Sequence, residues 1–147
     1  MDYHTKAAKG RILALDLGKK RIGLALSDPL GITAQGLPTL ERTNIRQDLG
    51  ALAELVEKNE VTLLLVGHPL HMSGREGRQA EYARDFAEKL AQRTGVEARL
   101  WDERLTTVEA QRVLKESGIS IEKRARAVDK LAAMILLESY LDRVAHE

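Results

Sequence analysis

The stretch LALDLGKKRIGLALSD, residues 13–28, contains two short apolar runs separated by a glycine and three cations. This pattern is typical of a β-hairpin that turns at Gly18. The first run carries a carboxylate, Asp16, at the end of the predicted strand 11–17, where Val or Ile would suit a buried strand better. The position of this charge therefore requires a chemical explanation.

The rest of the chain predicts an α/β fold with the element order βββαβαβαα. The apolar run VTLLLVG is typical of a central strand covered on both faces, so we expect helices on both sides of the sheet. Pro38 places the third strand at an edge or makes it short. Strands are predicted at 11–17, 21–27, 34–41, 61–67 and 96–103. The first helix is predicted to begin at the N-cap Asn44. A capping box at Ser73 and Glu76 predicts a second helix that ends at Thr94, and another at Thr106 and Glu109 predicts a third that ends at Ser117. A basic connection at 119–127 and a last helix at 127–144 follow.

Length and composition predict one soluble domain. The 147 residues fit a single core, and we expect residues 1–10 to form a flexible tail and residues 11–147 the domain. The chain has no cysteine, which excludes disulfides and cysteine-based zinc sites and favours the cytoplasm. No apolar run approaches the roughly 18 residues of a membrane span. The net charge of +1 neither requires nor excludes nucleic acid, because 23 basic and 22 acidic side chains can be segregated by face.

Four carboxylates are predicted to lie at one edge of the sheet. Asp16 ends the first strand, Asp102 and Glu103 end the last strand, and Asp129 lies in the first turn of the last helix, above an apolar face. Clustered acids remain ionised only if a cation replaces the lost water. Oxygen ligands select Mg²⁺ or Mn²⁺, and two such ions roughly 4 Å apart catalyse phosphodiester hydrolysis.

Each of these acids also has an ordinary structural interpretation. Asp16 could initiate the turn at Gly18, and Asp129 could complement the N-terminal dipole of its helix. Asp102 or Glu103 could pair with Arg104 at the surface. The Asp-x-Gly hairpin also occurs in sugar kinases and actin-like ATPases, but those folds need two such subdomains, and 147 residues supply one.

Four blocks of the chain, in order, resemble the YqgF/RuvX family of ribonuclease-H-like proteins. They are RILALDLGKKRIGLALSDPLGITAQGLPTLER, LLLVGHPLHMSGREG, WDERLTTVEAQRVL and AVDKLAAMILLESYL, which together extend from Arg11 to Leu141. The resemblance implies a ribonuclease-H-like fold, with a central mixed five-stranded sheet flanked by helices and a divalent-metal nuclease site. The family is described both as nucleases that mature the 5′ end of pre-16S ribosomal RNA and as Holliday-junction resolvases of the bacterial cytoplasm.

The resemblance also implies roles for individual residues. The acids carried over as catalytic metal ligands are Asp16, Glu103 and Asp129. Asp102 is expected beside these ligands, and His68 either hydrogen-bonds substrate phosphate there or, like His71, is a solvated loop histidine. No carboxylate ends the middle strand, so the second ligand is expected on the last strand.

Basic residues accompany every predicted acid. We interpret them as a rim that contacts phosphates, and the alternative is an ordinary solvated surface. The expected partner is structured RNA or branched DNA, bound by a monomer or a homodimer. The first function is ribosomal-RNA processing; the alternatives are a junction resolvase, which requires a two-fold dimer, and an inactive nucleic-acid-binding module. The rim comprises Lys19, Lys20, Arg21, Arg75, Arg78, Arg104, Arg124, Arg126 and Lys130.

Overall fold

The computed structural model describes residues 10–71, 73–102 and 121–145, with side chains of the last segment described from Asp129 onward. Residues 1–9 of the predicted tail at 1–10 and the predicted helix at 106–117 lie outside these residues, as does Glu103.

The opening hairpin forms as predicted. Strand β1 (Arg11–Leu17) pairs antiparallel with β2 (Arg21–Ser27), and the backbone N–H of Gly18 donates to the carbonyl of Arg21 at 2.9 Å to close the turn. Strand β3 (Ala34–Glu41) continues the antiparallel arrangement on the outer side of β2. Its position at the sheet edge confirms the prediction from Pro38.

The two remaining strands make the sheet mixed. Strand β4 (Val61–His68) pairs parallel with β1, and β5 (Glu97–Asp102) pairs parallel with β4. The strand order is β3-β2-β1-β4-β5, which confirms the predicted five-stranded mixed sheet. Because β1, β4 and β5 are parallel, their carboxyl ends meet at one edge.

Three helices are described. Helix α1 (Ile45–Lys58) begins at the predicted N-cap, since the side chain of Asn44 accepts from the backbone N–H of Gln47. Helix α2 (Arg78–Thr94) ends at Gly95, whose left-handed φ of 73° is the conformation that glycine adopts most easily. Helix α3 (Ile121–Ala145) is the longest of the three.

The sheet separates two apolar cores. Alternate residues of β1 point to opposite faces, so Leu13 and Leu15 pack against α1 and α2, whereas Ile12 and Ala14 pack against α3. We call these sides the α1/α2 face and the α3 face. The alternation decides which face each residue at the strand ends occupies.

The predicted capping box at Ser73 and Glu76 is wrong. Helix α2 begins only after Gly77, and the carboxylate of Glu76 contacts His68 and Arg84 instead of capping a helix. Gly74, with a φ of 86°, interrupts the segment before the helix.

The predicted basic connection at 119–127 is also wrong from residue 121 onward. Residues 121–127 belong to α3, which therefore begins six residues before the predicted start. Lys, Arg, Ala and Glu in IEKRARA are good helix formers, and the cluster of charge concealed this propensity. Strand β5 spans 97–102, close to its predicted range.

Candidate metal and nucleic-acid site

The backbone of Asp129 lies against Gly23, the register partner of Asp16. Asp16 is the register partner of Gly23 on β2, and two-residue alternation from Ile12 and Ala14 puts Asp16 on the α3 face. A Cβ atom built on Gly23 would lie only 1.9 Å from the backbone oxygen of Asp129. The absence of a side chain at Gly23 thus allows the backbone of α3 at Asp129 to pack directly on β2, beside Asp16.

The Asp129 carboxylate is paired with a predicted rim residue. The Nε atom of Arg21 donates to Oδ2 of Asp129 at 3.0 Å, and each side chain is 20% exposed. Burial raises the pKa of Asp129, Arg21 opposes this rise, and the charge of Glu41 adds to it. The pKa is raised overall, so Arg21 compensates only part of the cost of holding this carboxylate ionised.

Asp102 lies on the opposite face from Asp16. Ala98 and Leu100 of the same strand pack against the α1/α2 core, and Asp102 follows them in alternation. Within residues 10–71, 73–102 and 129–145, no three His, Asp or Glu side chains are grouped closely enough to hold one ion. The structure therefore places two of the three predicted ligands, Asp16 and Asp129, beside Gly23 on the α3 face, and Glu103 is outside the described residues.

His68 is not a solvated loop histidine. It is the last residue of β4 and the register partner of Asp102; its side chain is 16% exposed, and its Nε2 atom lies 2.9 Å from Oε2 of Glu76. Arg84 donates to the other oxygen of Glu76 at 2.7 Å. This chain of contacts ties the segment before α2 to the end of β4. His71 is exposed in that segment, in agreement with its prediction.

The predicted cations divide between the two faces. Lys19 and Lys20 are exposed at the hairpin turn, and Arg75 and Arg78 are exposed before and at the start of α2. Lys130 is exposed on α3, where a Cβ atom on Gly36 would lie 2.5 Å from its Cε atom. Arg104 and the side chains of Arg124 and Arg126 lie outside the described residues.

Arg42 is a residue that the sequence analysis missed. It donates through Nε to Asp48 at 3.1 Å, through Nη1 to the carbonyl of Gly18 at 3.0 Å, and through Nη2 to the hydroxyl of Tyr82. Burial lowers the pKa of Arg42, but its bonds to Tyr82 and Asp48 raise it by more. A lone arginine before a helix N-cap gives no sequence signal for such a network.

Helices that could cross a membrane are absent from the described part of the chain.

The sheet order and flanking helices define a ribonuclease-H-like fold. RuvC of Thermus thermophilus, solved in complex with a Holliday junction substrate, aligns with a TM-score of 0.57 and 12% identity over 92% of this chain and 96% of its own. The Fowlpox virus resolvase, solved with Holliday junction DNA, aligns with a TM-score of 0.55 and 13% identity over 91% and 98% of the two chains. These likenesses concern the fold.

The chain belongs to the RuvX family. The family model, described as a Holliday junction resolvase, matches residues 10–143. A relative from Koribacter versatilis is 54% identical, over 93% of this chain and 90% of its own length. Relatives from Myxococcus xanthus, at 49% identity over 90% and 87% of the two chains, and Shouchella clausii, at 46% over 92% and 97%, are similar throughout. All three carry the provisional name pre-16S rRNA nuclease.

Proposed function

We propose that the protein is a divalent-metal-dependent nuclease that matures the 5′ end of pre-16S ribosomal RNA in the cytoplasm. The observation that carries this proposal is that the backbone of Asp129 lies against Gly23, the register partner of Asp16. Membership of the RuvX family supports nuclease activity, and the names of the relatives support the ribosomal substrate. We take residues 11–147 as one nuclease domain.

The residues fit a hard divalent cation. Asp16 and Asp129 offer carboxylate oxygens, the ligands that Mg²⁺ and Mn²⁺ prefer. The raised pKa of Asp129 indicates that Arg21 offsets only part of the desolvation cost of the ionised carboxylate, and a bound cation would offset the remainder. We assign Asp16, Asp129 and Glu103 as the ligands of two such ions. When bound, such ions would supply activation of a water molecule and stabilisation of the leaving oxygen of the phosphodiester.

The neighbouring cations of the chain perform two tasks in this proposal. Arg21 holds the Asp129 carboxylate in position in the metal-free protein, because the ion pair offsets part of its desolvation. Lys130, one residue further along α3 and exposed, contacts the substrate phosphate and offsets the negative charge that develops during cleavage. Lys19 and Lys20 bind the substrate backbone beyond the turn.

The decisive experiment compares the wild type with Asp16→Asn. Both are assayed with Mg²⁺ or Mn²⁺ on structured precursor RNA and on four-way DNA junctions. We expect the wild type to cleave the RNA and the variant to lose at least about a hundredfold in rate, because one metal ligand is removed. Cleavage by Asp16→Asn at the wild-type rate would refute the assigned site.

The second candidate function is cleavage of four-way DNA junctions. The description of the matching family model favours it. Symmetric cutting of two strands requires a two-fold dimer, so junction cleavage by a dimer, with no cleavage of precursor RNA, would replace the first proposal. Tight nucleic-acid binding without any metal-dependent cleavage would instead identify an inactive binding module.

A further inference from the structure

A cleft of about 780 Å³ opens on the α1/α2 face next to the hairpin turn. Its wall begins at Leu17 and Gly18, directly after Asp16, and continues across the start of α1 to the exposed side of α2. The volume lies within the range of about 300–1,000 Å³ that is typical of ligand pockets. The cleft therefore lies at the same end of β1 as the candidate metal site, but on the other side of the sheet.

The charges lining the cleft are mainly positive. Four cations line it, against one described carboxylate, Asp48. That carboxylate is only 2% exposed and pairs with Arg42, so it contributes little negative potential to the opening. The exposed cations are Lys19 on the turn and Arg78 and Lys89 on α2.

Arg42 forms the rigid floor of the cleft. Its three bonds join the β1–β2 turn, α1 and α2, through Gly18, Asp48 and Tyr82 respectively. Its side chain is 13% exposed, and each of its three guanidinium nitrogens donates to a group of the protein. Arg42 thus orders the cleft and leaves the binding of an anion to the exposed cations around it.

The cleft also exposes an aromatic ring. Tyr82 is 41% exposed, although its ring contacts Phe86 and Arg42, with centroid distances of 6.1 Å to the Phe86 ring and 5.3 Å to Cζ of Arg42. Ile45, 38% exposed, also lines the cleft, at the start of α1. An exposed ring held from behind is suited to stacking against a planar group.

We infer that this cleft binds an unpaired segment of the nucleic-acid substrate, a proposal that rests on the proposed function. Backbone phosphates contact Lys19, Arg78 and Lys89. A base stacks on Tyr82, and the strand passes around the hairpin turn to Asp16. Positive charge alone would also suit an acidic peptide, but the exposed ring and the proximity of the cleft to Asp16 favour nucleic acid.

The first test measures binding without cleavage. Fluorescence anisotropy in EDTA records the affinity of the full chain for single-stranded RNA and DNA oligonucleotides of mixed sequence across a salt series. In Arg78→Gln/Lys89→Gln we expect the slope of log affinity against log salt to become shallower by about 1.4, because two phosphate contacts are lost. Lys58→Gln, an exposed lysine near the other end of β1, is the control and should leave the slope unchanged.

The second test separates stacking from the other contacts of Tyr82. Tyr82→Leu and Tyr82→Phe both remove the hydroxyl that accepts from Arg42, but only Tyr82→Phe keeps the ring. We expect Tyr82→Leu to bind at least about fivefold more weakly than Tyr82→Phe, because base stacking is lost. Circular dichroism and urea unfolding check that both variants are folded to the same extent.

The outcomes distinguish this inference from the proposed function. If all cleft variants bind single strands as the wild type does, the inference is overturned, even where the wild type cleaves RNA. If Tyr82→Leu and Tyr82→Phe bind equally, or if an acidic peptide binds the cleft more tightly than either oligonucleotide, it is overturned as well. If the wild type cleaves nothing with Mg²⁺ or Mn²⁺, the proposed nuclease function fails, while the cleft variants still decide whether the binding site exists. If the cleft substitutions weaken binding of RNA more than binding of DNA, the bound strand is RNA; the reverse result identifies DNA.

Discussion

The two faces of the sheet each contain an aspartate–arginine pair, and the pairs differ in how completely the aspartate is compensated. On the α1/α2 face, Asp48 accepts from Arg42 and from the backbone N–H of Thr43. On the α3 face, Asp129 accepts from Arg21, yet burial still raises its pKa. The Asp48 side chain is 3% exposed, whereas the Asp129 side chain is 20% exposed.

This difference separates a structural pair from a pair available for function. Asp48 and Arg42 pair with each other, and Arg42 also joins the β1–β2 turn, α1 and α2. Their charges therefore serve the structure of the protein. The ionised form of Asp129 is left partly uncompensated beside Asp16, which favours the binding of a further cation. Three of the four predictions below test this contrast, the fourth tests a carboxylate whose pKa is lowered, and they begin with the largest expected effect.

Removal of the Asp48 charge tests the structural pair. In Asp48→Ala, Arg42 loses its carboxylate partner inside the protein, and we expect the free energy of unfolding to fall by about 3 kcal/mol. Urea unfolding measures the change. Glu54→Gln, an exposed acid on the same helix, is the control and should change stability by less than about 0.5 kcal/mol. A loss below about 1 kcal/mol in Asp48→Ala would contradict the structural assignment.

Gly23→Ala tests the approach of α3 to the sheet. The added Cβ atom would meet a backbone oxygen at 1.9 Å, which no side-chain rotation can relieve, so α3 must shift away from Asp16. We expect a loss of about 2 kcal/mol in unfolding free energy and a loss of metal-dependent cleavage.

Gly50→Ala is the matched control for Gly23→Ala. A Cβ atom on Gly50 would meet only the Arg93 side chain, at an ordinary 3.6 Å. Because Gly50 lies inside α1, this change should raise stability by about 0.5–1 kcal/mol and leave cleavage unchanged. Full activity in Gly23→Ala would show that the close approach is unnecessary.

Asp129→Asn tests the incomplete compensation on the α3 face. Because its pKa is raised in the folded protein, Asp129 favours folding most at pH values below its ordinary pKa of 3.8. This contribution to stability is lost as the pH rises through the raised pKa of the folded protein. In EDTA at neutral pH, the variant should therefore have the higher melting temperature, and the difference should vanish below pH 3.8. Added Mg²⁺ or Mn²⁺ should raise the melting temperature of the wild type more than that of the variant. A lower melting temperature for the variant in EDTA would oppose this account.

Asp28→Asn is expected to have a smaller effect with the opposite pH dependence. The carboxylate of Asp28 accepts from the backbone N–H groups of Thr33 and Ile32, and these bonds lower its pKa despite the opposing desolvation. Its stabilisation should be present in the wild type above the ordinary pKa and lost as pH falls through the lowered value. Thermal unfolding across pH should thus show the variant as slightly less stable at neutral pH, with the deficit closing in acid. A deficit that grows in acid would contradict the direction of this shift.

Local patterns predicted most of the sheet. The hairpin around Gly18, the edge position of Pro38 and the C-terminal end of α2 at Gly95 each depend on the conformational preference of one residue, which the sequence displays directly. The error at 73–76 arose because the capping pattern competed with partners eight residues away on either side, and the error at 121–127 arose because clustered charge concealed helix propensity. Glu76 had the spacing of a capping residue, but His68 and Arg84 bind its carboxylate.

The sequence predicted only part of the candidate site, because some of its contacts join residues far apart in the chain. The family resemblance and the strand ends selected Asp16 and Asp129 as neighbours, and the structure brings both to Gly23. The ion pair between Arg21 and Asp129 was not predicted, because it joins residues 108 positions apart. Asp102 and His68 lie on the other face of the sheet because side-chain direction alternates along a strand, and the end of a strand cannot be assigned to a face until its packing is known.

The sequence by itself determined the strands, the mixed α/β class and the acids that a metal would require, because hydrophobic period, turn residues and motif order are local properties of the chain. Only the tertiary structure decided which charges are compensated. It pairs Asp48 with Arg42 inside the α1/α2 face and leaves Asp129 beside Asp16 with its pKa raised by burial. Burial and partner distance depend on how α3 and α1 pack against the sheet, and no stretch of sequence contains that information alone.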